Sequence, residues 1–275
     1  MKTILAATDF SKAAENACNY AAAMSVALEC ELLLFHCYVP PTSISEIPLT
    51  MDIDEASAGL ERNLNAEAER LRKTYPALKS IRTNMRMGFV IQELKNVIKE
   101  FEPELVVMGR HGISNLEKFL FGSQAVHAMR DIDTPLLIIP PHDKYEKIES
   151  LAAAVDFSDL RKTFPADKLK KFLRLTGLNK VQVVNSGPAD KFDPDIVFGT
   201  QLIGQLMEPF QTDIYFISAG KKDMEQSILE FIQKNSISML MVVPRHLSFF
   251  ERITHRSESK QLAWHTAVPL LSMHK

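Results

Sequence analysis

Hydrophobic positions in this chain fall in short runs separated by longer periodic stretches. Residues 3–7 are an apolar run broken by Thr8-Asp9, the length of a strand buried on both faces. Ser11 follows as the N-cap of a helix with Ala13, Ala14, Ala17, Ala21, Ala22 and Met24 at helical spacing. Residues 31–39 read as a second strand through Leu32-Leu33-Leu34-Phe35, and Pro40-Pro41-Thr42 with Pro48 mark a long loop. A charged helix over 53–75 stops at Pro76. Residues 80–87 alternate as a strand closed by Gly88, and Val90, Ile91, Leu94, Val97 and Ile98 make one stripe of a helix over 90–101. A fourth strand over 105–108, a helix over 116–130 and a fifth strand over 136–139 complete the series by Pro141. Strands alternating with helices predict an α/β fold, a mostly parallel sheet with helices on both faces.

The pattern then restarts. Leu151-Ala152-Ala153-Ala154-Val155-Asp156-Phe157-Ser158 repeats Ile4-Leu5-Ala6-Ala7-Thr8-Asp9-Phe10-Ser11. Met239 to His246 parallels Glu104 to His111, and Thr266 to Leu271 parallels Asp133 to Ile138. Three matches in one order indicate an internal duplication. Two open five-stranded parallel sheets in tandem are expected, over 1–141 and 148–275, joined by the short charged stretch His142 to Lys147 and packed together. The Asp-to-loop distance is 100 residues in the first copy (9 to 109) and 88 in the second (156 to 244). The shortening is expected between Asp156 and Val181, at the expense of the first helix.

Composition narrows the class. Hydrophobic content of 46%, charged content of 24% and a net charge of −2 describe an ordinary globular protein with no bias toward nucleic acid or an acidic membrane. Cys18, Cys30 and Cys37 lack C-x-x-C spacing, which argues against a zinc site or a disulfide framework. The eight histidines show no H-x-x-x-H. The first nine residues hold too short an apolar run for a signal peptide, and no stretch approaches the ~20 apolar residues of a membrane span, so a cytoplasmic location is expected.

The chemistry gathers after the fourth strand. Met108-Gly109-Arg110-His111-Gly112 is followed, nine residues on, by Gly122-Ser123-Gln124-Ala125 at the start of a helix. Glycines at 109 and 112 let the backbone approach an anion or take positive φ, Gly122 turns the chain into the helix, and Ser123 caps that helix or meets a phosphate oxygen. The helix N-terminus favours negative charge. Asp9, at the same carboxyl edge, is able to accept hydrogen bonds from a ribose hydroxyl or an adenine amine, or to cap the first helix. There is no Gly-Lys-Ser/Thr, so fast hydrolysis is not expected. Nor is there a G-x-S-x-G elbow.

These residues resemble the universal stress proteins, whose nucleotide-binding members carry G-x-x-G-x9-G-[ST]; residues 109–123 fit without a gap, and the Asp of the first strand and Thr134-Pro135-Leu136-Leu137-Ile138-Ile139 also match. The resemblance implies an adenine-nucleotide-hydrolase-like, Rossmann-like fold that binds ATP, alone or with magnesium. It implies contacts from Asp9 to the adenosine, from main chain around Cys37 to the adenine, and from Met108, Gly109, Gly112, Gly122, Ser123, Gln124 and Ala125 to ribose and phosphates. It also implies pairing through the last strand, within one chain or between two; a regulatory module whose bound state is read by a protein partner is the first hypothesis. A nucleotide-independent scaffold and a slow ATPase are the alternatives.

The second copy departs from the pattern. The motif alignment sets Pro244 at Gly109 and Leu247 at Gly112, and a one-residue deletion sets Arg256 at Gly122 and Ser257 at Ser123. Proline lacks an amide and leucine adds bulk, so the second loop is expected to bind no nucleotide. Arg110 and His111 are weighed as phosphate contacts against plain loop surface. Phe249-Phe250 is read as a partner surface or as core, and Trp264 as core or interface.

Overall fold

The computed structural model describes residues 1–39, 53–110, 123–155, 157, 160–185, 194–217, 224–244 and 268–275. The first part forms β1 (Thr3–Ala7), α1 (Lys12–Ala27), β2 (Glu31–Tyr38), α2 (Ile53–Thr74), β3 (Ile81–Met87), α3 (Val90–Phe101), β4 (Leu105–Gly109), α4 (Ser123–Asp131) and β5 (Leu136–Ile139). The second forms β6 (Leu151–Ala154), α5 (Leu160–Thr163), α6 (Ala166–Thr176), β7 (Lys180–Asn185), α7 (Pro194–Met207), β8 (Gln211–Phe216), α8 (Met224–Lys234), β9 (Met239–Val242) and β10 (Leu270–Ser272).

Local chemistry sets several of these bounds. Ser11 caps α1, its hydroxyl accepting from the Ala14 amide at 3.2 Å. Small residues on the buried face of α1 (Ala14, Ala17, Ala21, Ala22) let it lie close to the sheet. Leu94 and Val97 are the buried stripe of α3. The central strands read as unbroken apolar runs because helices cover both their faces.

All ten strands lie in one sheet, in the order β3-β2-β1-β4-β5-β10-β9-β6-β7-β8. Pairing within each set of five is parallel. The seam is antiparallel: Leu136, Leu137 and Ile138 of β5 face Ser272, Leu271 and Leu270 of β10. The pairing expected through the last strand is thus made inside the chain, and the two sheets are one. Because the seam reverses direction, the carboxyl edges of the two sets point to opposite ends of the sheet.

Two apolar layers run across the seam. One face carries Leu137 and Leu271 together with α1, α2, α6 and α7, and the other carries Ile138 and Leu270 with α3, α4 and α8. The joint is held down: Asn16 of α1 donates to the carbonyls of Pro140 (3.1 Å) and Asp143 (3.0 Å), and Tyr145 meets Tyr20 edge-on at 5.2 Å. The second set also grips α4 of the first. His274 Nε2 donates to the Met129 carbonyl at 2.7 Å, and Lys168 donates to the Asp133 carbonyl at 2.8 Å. Among the described residues no helix is long and apolar enough to cross a membrane.

The shortening of the second copy lies elsewhere than expected. The stretch after β6 keeps its length as α5 and α6, broken around Pro165. The lost residues fall between the second and third strands: 50 positions separate Glu31 from Ile81, and only 31 separate Lys180 from Gln211. The 22-residue α2 has the 14-residue α7 as its counterpart there. Surface length of this kind is tolerated because the strands it connects remain adjacent.

The seam is short, so its apolar pairs matter. Leu271 is fully buried against Leu137. Leu271→Ala is expected to lower stability by about 2–5 kcal/mol in urea denaturation. A loss under about 0.5 kcal/mol, the size of a neutral surface change, would show that the seam contributes little.

Candidate functional site

β1 lies between β2 and β4, where the chain order along the sheet reverses. Ligand crevices in open α/β sheets form at such points, beyond the carboxyl ends of the strands. In a parallel ladder, successive residues direct their main-chain groups to alternate neighbours. The Thr8 amide donates to the Phe35 carbonyl at 2.9 Å, and the Gly88 amide donates to the Tyr38 carbonyl at 3.0 Å. Phe35 therefore faces β1, Tyr38 faces β3, and Cys37 between them faces the side where β1 has ended. On the far side, Val106 and Arg110 donate to the Pro135 and Ile139 carbonyls, which turns Gly109 toward β1. Cys37 and Gly109 thus direct main-chain donors and acceptors into one gap, about 10 Å wide from two strand spacings.

The floor of the gap is the turn at Thr8–Ser11. The Thr8 hydroxyl accepts from the Phe10 amide at 3.0 Å, and Asp9 Oδ1 accepts from the Ser11 amide at 3.0 Å. Phe10 adopts φ 62°, a left-handed conformation uncommon for a bulky residue. Its ring lies 4.5 Å from the His36 imidazole, and His36 Nδ1 lies 2.8 Å from the Thr8 carbonyl. A carbonyl only accepts, so Nδ1 carries a proton and donates it. The His36 Nε2 is buried and has no hydrogen-bond partner among the described residues. Asp9 therefore sits exposed on a turn pinned from below by His36.

His36 escaped the sequence reading, although the duplication signals it. The register aligns Val155 with Thr8 and Asn185 with His36. Asn185 Nδ2 donates to the Val155 carbonyl at 3.0 Å, the same bond from a different side chain.

Gly109 is glycine for a reason other than positive φ. A β-carbon there would stand 2.3 Å from the Ala13 carbonyl oxygen and 2.6 Å from its carbon. The first turn of α1 crosses β4 at this point, so the glycine fixes where α1 and the Asp9 turn lie. Its φ is outside the left-handed region. Met108 and Ala125 are buried in the layer shared with α3, so their side chains pack and only main chain is left for a ligand. Gln124 is exposed in the first turn of α4, which opens at Ser123. Gly112, Gly122 and His111 lie outside the described residues, as do Asp156, Leu247, Phe249, Phe250, Arg256, Ser257 and Trp264. Arg110 is 5% exposed, and burial pulls its guanidinium down to about 10. Burial likewise pushes the Cys37 thiol up to about 11, and its Sγ donates to the Gly88 carbonyl at 3.2 Å, which makes it an unreactive thiol. No group of three His, Cys, Asp or Glu among the described residues is placed to hold a metal ion.

Register also corrects the alignment of the two loops by one residue. Ile4 pairs with Leu105 and Leu151 with Met239, and the amides of Val106 and Leu240 donate to the carbonyls of Pro135 and Pro269. Val243 therefore occupies the place of Gly109, and Pro244 that of Arg110. A valine cannot admit a helix backbone at this distance. Correspondingly, the stretch after β6 forms two helices, α5 and α6, on either side of Pro165, where the first half has the single helix α1. Gly109→Ala is expected to cost about 1–3 kcal/mol in denaturation without ligand. Unchanged stability would mean that the Ala13 contact does not constrain this position.

The sequence profile of the universal stress protein family matches residues 1–140. Among curated proteins none matches the sequence. The structure is similar to a universal stress protein of Archaeoglobus fulgidus DSM 4304, with 18% identity, 99% of this chain and 98% of that one covered, and a TM-score of 0.67. Universal stress protein UspA from Lactobacillus plantarum covers 50% of this chain and 96% of its own, at 17% identity and a TM-score of 0.43. A universal stress protein in complex with cAMP covers 51% of this chain and 97% of its own, at 22% identity and a TM-score of 0.39. With the profile spanning more than half of the residues, including β1, Gly109 and the start of α4, the chain belongs to the universal stress protein family.

Proposed function

We propose that the first half binds an adenine nucleotide, ATP alone or with magnesium, and that the second half is a pairing domain that has lost the site. The observation that carries this reading is the placement of the G-x-x-G-x9-G-S motif. It begins at the end of β4 and ends at the first residue of α4, on the edge that also holds Asp9 and the Cys37 main chain. Asp9 would accept from a ribose hydroxyl. The Cys37 amide and carbonyl would meet the donor and acceptor edge of the base. The Gly109 main chain and the N-terminus of α4 would face the phosphates, where aligned amides favour negative charge by about 0.3–2 kcal/mol.

The motif lacks the Gly-Lys-Ser/Thr of a phosphate-loop hydrolase, so rapid hydrolysis is not expected. Binding without rapid turnover suits a regulatory role, in which occupancy alters a surface read by another protein in the cytoplasm. The second half supports the asymmetry, because Val243 and Pro244 stand where the first half has Gly109 and Arg110.

ATP at a hundredfold excess over its Kd is expected to stabilise the protein by about 2.7 kcal/mol, read as a higher melting temperature. Gly122→Val should remove that shift while leaving the ligand-free melting temperature near its original value. A wild-type protein indifferent to millimolar ATP would sink the reading.

A further inference from the structure

We infer that Phe89, with Val39 beside it, is the apolar platform on which the base of the nucleotide lies, so that this corner selects a nucleoside over a free polyphosphate. The inference rests on the nucleotide reading above. It starts from an anomaly of burial. Phe89 is 77% exposed and Val39 is 56% exposed, in a protein whose other large apolar side chains are mostly inside. Phe89 is the most exposed of the large apolar side chains among the described residues. Phe198, also exposed, lies under the Arg161 guanidinium at 5.2 Å, whereas Phe89 stacks on no ring or cation among the described residues.

The backbone explains why Phe89 stands there. Tyr38 pairs with Met87, and the Gly88 amide donates to the Tyr38 carbonyl at 3.0 Å. Gly88 then takes φ 147°, which side chains rarely adopt, and swings the chain out of β3. Phe89 is left as the residue before the first turn of α3, where it makes no side-chain cap. Cys37 Sγ ties the turn to β2 through the Gly88 carbonyl. The turn therefore holds at the carboxyl edge a residue that is aromatic and exposed.

The position suits a base. Asp9, at the end of β1, fixes the ribose. Phosphates then run toward β4 and α4, and the base runs the other way, toward β2 and β3. The Cys37 main chain faces the base edge, which leaves the two ring faces to be covered. The Thr8–Ser11 turn, with Phe10 packed on His36, lies toward the α1 side. On the α3 side, β2 sends Leu33, Phe35 and Cys37 to one layer, and Val39 is the next residue of that parity. Val39 is the residue after Tyr38, whose ladder partner Met87 leads into the Gly88–Phe89 turn. Aromatic and apolar side chains at such a place stack on any base and ignore phosphate.

The test uses the full-length protein with ATP and inorganic tripolyphosphate as ligands, measured by calorimetry. Phe89→Ala is expected to weaken ATP binding roughly tenfold, within the range of base stacking, and to leave tripolyphosphate affinity unchanged. Phe89 is exposed, so its replacement should not disturb folding. Phe89→Trp is expected to retain ATP affinity and to add a fluorescence signal, above that of the single native tryptophan, that ATP quenches and tripolyphosphate does not. If wild-type protein binds ATP and Phe89→Ala binds it equally well, the platform is overturned while the nucleotide site stands. Equal weakening toward both ligands, or no quenching in Phe89→Trp, overturns it as well. Failure of the wild type to bind ATP removes both.

Discussion

The antiparallel pairing of β5 with β10 is the interaction on which the architecture depends. Three residue pairs join two parallel sheets of five strands into one sheet of ten. Because the seam is antiparallel, the carboxyl edges of the two sets are carried to opposite ends, and any ligand crevice of one is remote from that of the other. Because the seam residues alternate between the two apolar layers, each layer continues from one half into the other. The second half also supplies His274 and Lys168 as donors to carbonyls at the end of α4 and just beyond it. Such donors serve carbonyls that the helix leaves without partners. The second half thus supports the helix whose other end borders the candidate site.

Within that frame, Gly109 divides the two halves. The first turn of α1 lies so close to it that a β-carbon would overlap the Ala13 carbonyl. The glycine therefore does structural work whether or not a nucleotide is present. It brings α1, and with it the Asp9 turn, against the end of β4. Val243 at the matching place and the broken helix at Pro165 are two sides of one change. His36 and Asn185 show what survived the divergence: both donate to the carbonyl after the first strand of their half.

Local pattern was enough for the elements. Apolar runs and helical stripes place β1, α3 and β5 at or within a residue of their observed bounds, because length and periodicity are local properties. The duplication was legible from Asp-Phe-Ser and from the proline before the last strand. Pairing was not. A one-residue offset between Gly109 and Pro244 shows only in the ladder, since two apolar runs slide past each other without changing composition. The shortened arm was misplaced because an Asp-to-loop distance reports a sum and not which connection lost length. Gly109 was flagged as glycine, but for anion approach and positive φ, since a helix backbone crossing from elsewhere in the chain leaves no mark beside it. His36 read as one polar residue in an apolar strand, and its bond to Thr8 is a contact across strands.

Asymmetry is the central claim: one half equipped for a nucleotide and one half not. Native mass spectrometry of the full chain, titrated with ATP, addresses it directly. One nucleotide per chain at saturation is expected, with no second binding step. Two equivalent nucleotides per chain would contradict the assignment of the second half, and none would contradict the assignment of the first.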